Sequence, residues 1–519
     1  MPVVDILRWD LERLVGEKLD NNVIMDMLPR LKLEIESIEN DVIEFEATHD
    51  RPDLYSVEGV ARGLKGLLEK ELGIPRYEFF DSRIIGYNEG PSYRPYIGLA
   101  IVRGVDFDDE SIRQVMQLQE KLHTTFGRDR RKISIGLYDL SKIKPPVYYR
   151  HVDPDEVKFV PLEFAEELSL REILKYHPKG VEYGWIIANY DTYPLLVDSE
   201  GTVLSMPPIV NSEDTKVTEE TRDVIIDTTA TDLMAGLKAL TIVTLALAER
   251  GGKVGMVKVI GKNGELITPL RDNEEFFLDV SLVERLSGLR VTVEETANLL
   301  RRMRFDVEIG DRLRVLVPPY RVDILHPVDL VEEVVMAYGY DNIDPIVMRP
   351  LHPGREDGLE VFTRIVRNRM IGLGFIEVNN YMMTNPELLY DKMRLSRMPT
   401  VVVENPKQEN YTCLRTWLTP LLMQVLSRSK HVEYPQRIFE TGDVVIIDER
   451  SENMTREERR LAFAIAGDGI TFTDGHAVLD AFLRSFKLDY TLESITHESF
   501  IDGRYAKVIV DGKEVGFIG

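Results

Sequence analysis

Cysteine is nearly absent: Cys413 is the only one in 519 residues. One thiol excludes an intrachain disulfide and any zinc cluster built from thiolates. The nine histidines stand singly, so spacing reveals neither a His-based metal site nor a catalytic triad. No run approaches the ~18 consecutive apolar residues that span a bilayer. The opening MPVVDILRWDLERL carries charges every few residues and has no apolar core of a signal peptide. A cytoplasmic protein with no membrane partner is expected. Glutamine is scarce, at six, beside abundant Glu and Arg, a bias in the direction of heat adaptation. Neither G-x-x-x-x-G-K-[ST] nor G-x-S-x-G occurs, and Gly251-Gly252-x-x-Gly255 follows a predicted helix rather than a strand, which excludes a dinucleotide loop.

Basic charge is also short. Against 88 acidic residues stand 64 basic ones, a net charge of −24 that repels phosphates at long range and excludes a free-standing, non-specific nucleic-acid binder. Every large segment is acidic. Residues 121–150 run the other way at +6, partly through Arg128, Arg130, Arg131 and Lys132.

The length predicts about three to four domains. Residues 1–90 open with a helix from the spacing of Ile6, Leu7, Leu11, Leu14 and Val15, closed by Gly16. A second helix near 21–30 follows, then two strands around Asn40-Asp41 and a helix from about Ser56 to Leu72. Residues 80–94, rich in Gly, Pro, Ser and Asn, read as a linker. From 95 to about 268 the pattern is mixed α/β. YIGLAIVRGV, KISIGLYDL, YGWIIANY and YPLLVDSEG read as strands and SIRQVMQLQEKLH as a helix. TDLMAGLKALTIVTLALAERGG reads as a buried core helix, and a hairpin tipped by Lys262-Asn263-Gly264 follows. Residues 270–347 form a compact unit of short helices and a strand. The rest opens with a Pro/His/Gly linker and helix 357–373, and its final KVIVDGKEVGFIG stops inside a predicted hairpin, which suggests a further tail. Cys413 sits among apolar residues as a small core side chain.

Three stretches carry chemistry. If a helix starts at Asp329, then Asp329, Glu332 and Glu333 share one face, and Asp323, expected at the end of the preceding strand, converges on them. Hard oxygen ligands suit Mg2+. Asp329-x-x-Glu332 is equally a capping box, and the two roles are compatible. The loop SMPPIVNSEDTKVTEETRDVIIDTTATD (205–232) is polar beside a buried apolar helix, as a small-ligand pocket requires. It is also dense in turn and cap residues, with Thr231 or Asp232 as an N-cap. GRDRRKIS (127–134) is either a phosphate contact or a solvated basic face.

PPYRVDILHPVDLVEEVVMAYGYDNI closely resembles a signature of the phenylalanyl-tRNA synthetase beta subunit of archaeal/eukaryotic type. HDRPDLYSVEGVARGLKG, PPIVNSEDTKVTEETRDVIIDTTATD, NPKQENYTCLRTWLTPLLMQVL and RIFETGDVV resemble it too, in the family's order, across nearly the whole chain. The resemblance implies an α+β multidomain chain: an N-terminal beta-chain module (1–90), an α/β editing and tRNA-binding domain (91–268), a winged-helix-like domain (269–347), and a catalytically inactive class II synthetase-like core with an antiparallel sheet (348–519). It implies an α2β2 tetramer whose alpha subunit charges tRNA(Phe) with phenylalanine using ATP. This chain would hydrolyse mischarged Tyr-tRNA(Phe). A structural and tRNA-binding subunit without editing activity is the alternative, kept open by Lys216, which stands where related chains often carry Arg.

Residue by residue, the resemblance implies Asn211, Asp227 and Thr229 as catalytic, with Leu196, Ser205 and Lys216 binding substrate. Asp323, Asp329, Glu332 and Glu333 would hold Mg2+, and Arg128, Arg130, Arg131 and Lys132 would contact tRNA. Helix 357–373, through Val361, Ile365, Met370 and Leu373, resembles the class II interface helix. RIFETGDVV keeps a strand shape without the usual ATP-binding arginines.

Overall fold

Alternating burial builds the first sheet. Strands Leu33–Glu39 and Val42–Ala47 pair antiparallel across Asn40 and Asp41, whose left-handed φ values of 49° and 69° fit a tight hairpin turn. Strand Val3–Leu7 pairs with Val42–Ala47 and buries Val4 and Ile6. Ile6 and Leu7 are therefore extended, and the predicted helix begins only at Arg8. It runs Arg8–Val15 and ends at Gly16, φ 83°, as the sequence predicts. The computed structural model describes every residue except Asn263, Arg349, Pro350, Leu351 and Pro353. It divides into two units, Met1–Ile346 and Val347–Gly519.

A ten-stranded mixed sheet dominates the first unit. From one edge its order is Val210–Asn211, Val203–Met206, Tyr193–Val197, Val147–Val152, Phe79–Asn88, Lys253–Gly261, Tyr96–Arg103, Asp223–Ala230 and Ile133–Asp139, with Gly264–Thr268 hairpinned onto Lys253–Gly261. The tip residue Asn263 lies outside the described residues. Segment 80–94 is not a linker. Its first part belongs to Phe79–Asn88, a central strand parallel to Lys253–Gly261, where a Cβ on Gly86 would come within 2.4 Å of Leu99. Its glycine serves close packing rather than flexibility. YGWIIANY is not a strand either: Gly184–Ile186 is a single 3-10 turn following helix Pro178–Tyr183.

Asp232 caps helix Leu233–Glu249 through Ala235 N, and that apolar helix covers one face of the sheet, packing with Val224, Ile226 and Ala230. Residues 274–346 carry an antiparallel three-stranded sheet (Glu274–Leu278, Leu313–Val317, Asp306–Glu308) with helices Val280–Ser287, Val293–Arg302 and Pro327–Tyr338.

In the second unit the long hairpin Gln436–Ile447/Thr455–Ala466 pairs antiparallel, and Ile376–Glu377 adds parallel, so this sheet is mixed. Helix Gly358–Gly372 buries Val366 and Met370, the latter beside Phe375 and Phe439. Met370 thus belongs to the core, while Leu359, Phe362, Ile365 and Ile371 are the large exposed apolar residues of that helix. Cys413 is fully buried. The Pro/His/Gly stretch falls mostly outside the described residues. No helix among the described residues is long and apolar enough to cross a membrane.

Candidate active site

The ten-stranded sheet ends in two edges that approach each other. Ile133–Asp139 is one edge, and Val210–Asn211 beside Val203–Met206 is the other. Tyr138 from the first edge reaches Ser205 near the second, Oη to Oγ 2.8 Å. Asp139 N donates to Thr215 O at 2.9 Å. Arg130 donates to the carbonyls of Pro208 and Ile209 at 3.2 and 2.8 Å. The sheet is thus curled towards an open barrel, and a cavity of about 430 Å³ occupies the seam.

Strand alternation aims the polar groups into it. Asp227 pairs with Gly136 and Thr229 with Ser134 across adjacent strands, so Ser134, Gly136, Tyr138, Asp227 and Thr229 share one face. Asp227 is 2% exposed and accepts a hydrogen bond from Tyr138 Oη at 2.5 Å. Tyr138 has a single proton; with it given to the carboxylate, Ser205 must donate to the phenol oxygen. Burial pushes the Asp227 carboxyl up to about 7, against the lowering effect of Tyr138 and Arg94. Burial and the Asp227 charge raise the Tyr138 phenol well above its ordinary value, so it stays protonated. A Cβ on Gly136 would sit 1.9 Å from Tyr138 Oη and 2.3 Å from Asp227 Oδ1, so the pair needs a glycine opposite it.

Behind this pair lies Arg94, about 1% exposed, whose Nε donates to Thr229 Oγ1 and Nη2 to Thr229 O, both at 2.8 Å. Its remaining bonds reach Ser134 Oγ and the carbonyls of Arg130 and Arg131, at 3.1 to 3.2 Å. Burial lowers the guanidinium to about 10, which leaves it charged at neutral pH. These bonds brace a turn in which Arg128, Asp129 and Arg130 are all left-handed, with φ of 50°, 54° and 64°.

On the cavity wall from helix Asp109–Thr124, His123 Nε2 accepts from Ile135 N at 2.8 Å, so its proton is on Nδ1, 3.4 Å from Glu120. Burial lowers His123 to about 4. The hydrogen bond from His123, with the charges of Arg130 and Lys179, holds the Glu120 carboxyl far below its usual range.

Of the six expected editing residues, Ser205, Asn211, Lys216 and Asp227 line the cavity. Lys216 pairs with Glu213 at 3.1 Å. Thr229 does not line it; it sits behind Ser134, 2.9 Å away. Leu196 is a core residue packed with Tyr138, Tyr149 and Leu204. Of the expected tRNA contacts, Arg128 and Arg131 are exposed and Lys132 pairs with Asp232 at 3.3 Å. Arg130 faces inward, only 8% exposed and stacked 4.4 Å from the Tyr183 ring centroid. Sequence reasoning passed over Tyr138, Gly136, His123, Glu120 and Arg94. A signal existed for the first two: in KISIGLYDL the alternate positions Ser134, Gly136 and Tyr138 break an otherwise apolar strand.

The four expected Mg2+ ligands do not converge. Asp323 and Glu333 are taken up by Arg321, which is forked onto Asp323 at 2.8 and 2.6 Å and donates to Glu333 at 2.6 Å. Burial opposes ionisation of Asp323, and the Arg321 charge outweighs it, holding that carboxyl far below its usual range. Glu332 pairs with Lys32 at 2.9 Å. Asp329 accepts from Leu325 N and His326 N, both at 2.8 Å. The cap is His326 with Asp329, three residues earlier than the predicted Asp329-x-x-Glu332 box, because the helix starts at Pro327. Among the described residues no group of three or more His, Cys, Asp or Glu side chains is arranged to hold a metal. Carboxylates already neutralised by a buried arginine do not fit a divalent cation.

Comparison with known proteins agrees with this architecture. Three family models match: the B3/4 domain over residues 107–244, the tRNA synthetase B5 domain over 276–340, and the phenylalanyl tRNA synthetase beta chain CLM domain over 347–519. A phenylalanine–tRNA ligase beta subunit from Thermofilum pendens is 53% identical, with 100% of this chain and 93% of the relative covered. One from Pyrococcus abyssi is 44% identical, covering 100% and 95%. The crystal structure of an N-terminal fragment of the Pyrococcus horikoshii phenylalanyl-tRNA synthetase beta subunit superimposes with a TM-score of 0.64 at 43% identity, over 65% of this chain and 100% of the fragment. The chain therefore belongs to the phenylalanine–tRNA ligase beta-subunit family.

Proposed function

We propose that this chain works with a catalytic alpha subunit in ligating phenylalanine to tRNA(Phe), as an α2β2 tetramer, and that its seam cavity hydrolyses tyrosine mischarged onto that tRNA. The observation that carries the second part is the buried Asp227–Tyr138–Ser205 chain in a cavity that also gathers Asn211 and Lys216. Phenylalanine and tyrosine differ by one hydroxyl, which an apolar synthetic pocket rejects only modestly, so a second site that binds the hydroxyl adds discrimination.

In this reading Asp227, poised near neutrality, takes a proton from water as that water adds to the ester carbonyl carbon. The bond from the carbonyl carbon to the ribose oxygen then breaks. The proton passes to the departing ribose oxygen, and tyrosine leaves as its acid. Ser205 and Asn211 orient the ester and the phenol. Thr229 acts as a positioning residue through Arg94 and Ser134. Lys216 and the exposed Arg128 and Arg131 favour the phosphates of the acceptor end, and Trp185, 54% exposed with Arg131 5.9 Å from its ring centroid, offers a surface on which a base can stack. The exposed Leu359, Phe362 and Ile365 suit a helical interface with the alpha subunit. The Mg2+ of the ligase reaction belongs, on this reading, with the nucleotide on that partner.

Reconstitution with a catalytic chain tests it. ATP-dependent phenylalanylation of tRNA(Phe) together with clearance of preformed Tyr-tRNA(Phe) is the expected result. Phenylalanylation without clearance would leave the chain a structural and tRNA-binding subunit.

A further inference from the structure

Away from the seam, a second, much smaller cavity lies where residues from the start of the chain meet the segment 303–321. Its volume is about 10 Å³, and its wall includes Arg51, Asp53, Arg62, Arg304, Tyr320 and Arg321. The four arginines and Tyr320 are each 2 to 4% exposed. Burying several guanidiniums together is costly unless each is paired and hydrogen-bonded.

The pairing is incomplete. Asp53 accepts from Arg51 at 2.9 and 3.0 Å and from Arg62 at 3.5 Å. The fork of Arg321 is spent on Asp323 and Glu333, and Arg304 bonds outward to Glu71. Arg62 lies over the Tyr320 ring, 3.8 Å from its centroid. Four donors then remain without a hydrogen-bond partner among the described residues: Arg51 Nη1, Arg62 Nη1, Arg304 Nε and the Tyr320 hydroxyl. Glu249 Oε1, 3.9 Å from Arg62 Nη1, lies beyond hydrogen-bond reach.

We propose that this cavity is a binding site for one monatomic anion, a halide and in the cell chloride, held by Arg51, Arg62, Arg304 and Tyr320. Size excludes phosphate, sulfate and carboxylates, because the volume admits about one water-sized body. Donor chemistry separates the anion from a water. A water accepts two hydrogen bonds, so it would leave two of the four donors unmet. An anion only accepts, so it can take all four donors at once; of the arginines in the wall, Arg321 is paired with Asp323 and Glu333 and Arg304 with Glu71, while Arg51 and Arg62 share Asp53. The bound ion joins the loop Arg51–Asp53 and helix Val57–Leu67 to the segment around Arg304 and Tyr320. The same region was expected to bind a cation; its carboxylates hold Arg321 instead, and the remaining arginines point to a ligand of opposite charge.

Crystals of the full chain, in the assembly in which it purifies, grown with sodium bromide and measured at the bromine edge, test the site. An anomalous peak within hydrogen-bond distance of Arg51 Nη1, Arg62 Nη1 and Tyr320 Oη is expected. In solution the unfolding midpoint should rise by roughly a few degrees across a hundredfold increase in chloride, compared with gluconate at equal ionic strength. Tyr320→Phe keeps the ring stacked on Arg62 and should shrink that rise. Density at the site without anomalous signal identifies a water and overturns the proposal. A bromide peak with identical midpoints in chloride and gluconate means an adventitious ion only, and overturns it too.

Discussion

Replacing Asp227 with asparagine should make the protein more stable, and by an amount that depends on pH. The carboxyl is buried and its folded value is raised from 3.8 to about 7. Between those values the folded state holds a proton that the unfolded chain has lost, so stability falls as pH rises through this window and levels off above about 7. A shift of about three units, at about 1.36 kcal/mol each, is about 4 kcal/mol of destabilisation at pH 8. By the same relation the cost is under ~2 kcal/mol at pH 5 and near zero at pH 3. Asp227→Asn keeps the shape and still accepts from Tyr138 while removing the charge. Urea unfolding, followed through amide exchange of strand Asp223–Ala230, should therefore show a stabilisation of about 4 kcal/mol at pH 8 that shrinks steadily on acidification. A difference independent of pH, or a variant less stable than wild type at pH 8, would refute the reasoning. The gain should come with lost deacylation, since a group held against its own preference is a sign of function rather than stability.

The other expectations concern the groups around that carboxyl. Tyr138→Phe removes the bond that lowers Asp227, so the rising limb of the deacylation pH profile, near 7 in wild type, should move to higher pH; an unmoved limb would show that the two groups are not coupled. Arg94→Met leaves Ser134, Thr229 and two carbonyls without their buried donor. It should cost about 3–5 kcal/mol in thermal or urea unfolding and open the Arg128–Lys132 turn to trypsin. Gly136→Ala places a methyl where Tyr138 and Asp227 meet, and should cost about 1–3 kcal/mol by calorimetry while separating the pair. Wild-type stability in Gly136→Ala would contradict the close approach.

Much of the fold was legible because local rules and global packing agree. The Asn40-Asp41 hairpin, the Gly16 cap and the apolar helix behind Asp232 each follow from residues a few positions apart. Failures came where tertiary packing overrode local composition. Gly86 looks like a linker residue, yet the lack of a side chain is what lets a central strand lie against Leu99. The aromatic and apolar residues 183–190 look extended, but after helix Pro178–Tyr183 the chain turns and exposes Trp185. The site was half legible. Its polar loop announces Ser205, Asn211, Lys216 and Asp227, whereas Arg94, in a short polar stretch more than 100 residues away in sequence, carries no periodic signal at all. The acidic cluster shows the opposite error: Asp323 and Glu333 are spaced like metal ligands, and only the structure reveals Arg321 between them.

The central claim is that the seam cavity clears tyrosine from tRNA(Phe) through Asp227. Single-turnover deacylation of Tyr-tRNA(Phe) by the reconstituted complex, with wild type and Asp227→Ala side by side, tests it most directly. Rapid loss of tyrosine in wild type and a rate at least about a hundredfold lower in the variant, with phenylalanylation retained, is the expected result. Equal rates in the two, or no hydrolysis by the wild-type complex, would contradict it.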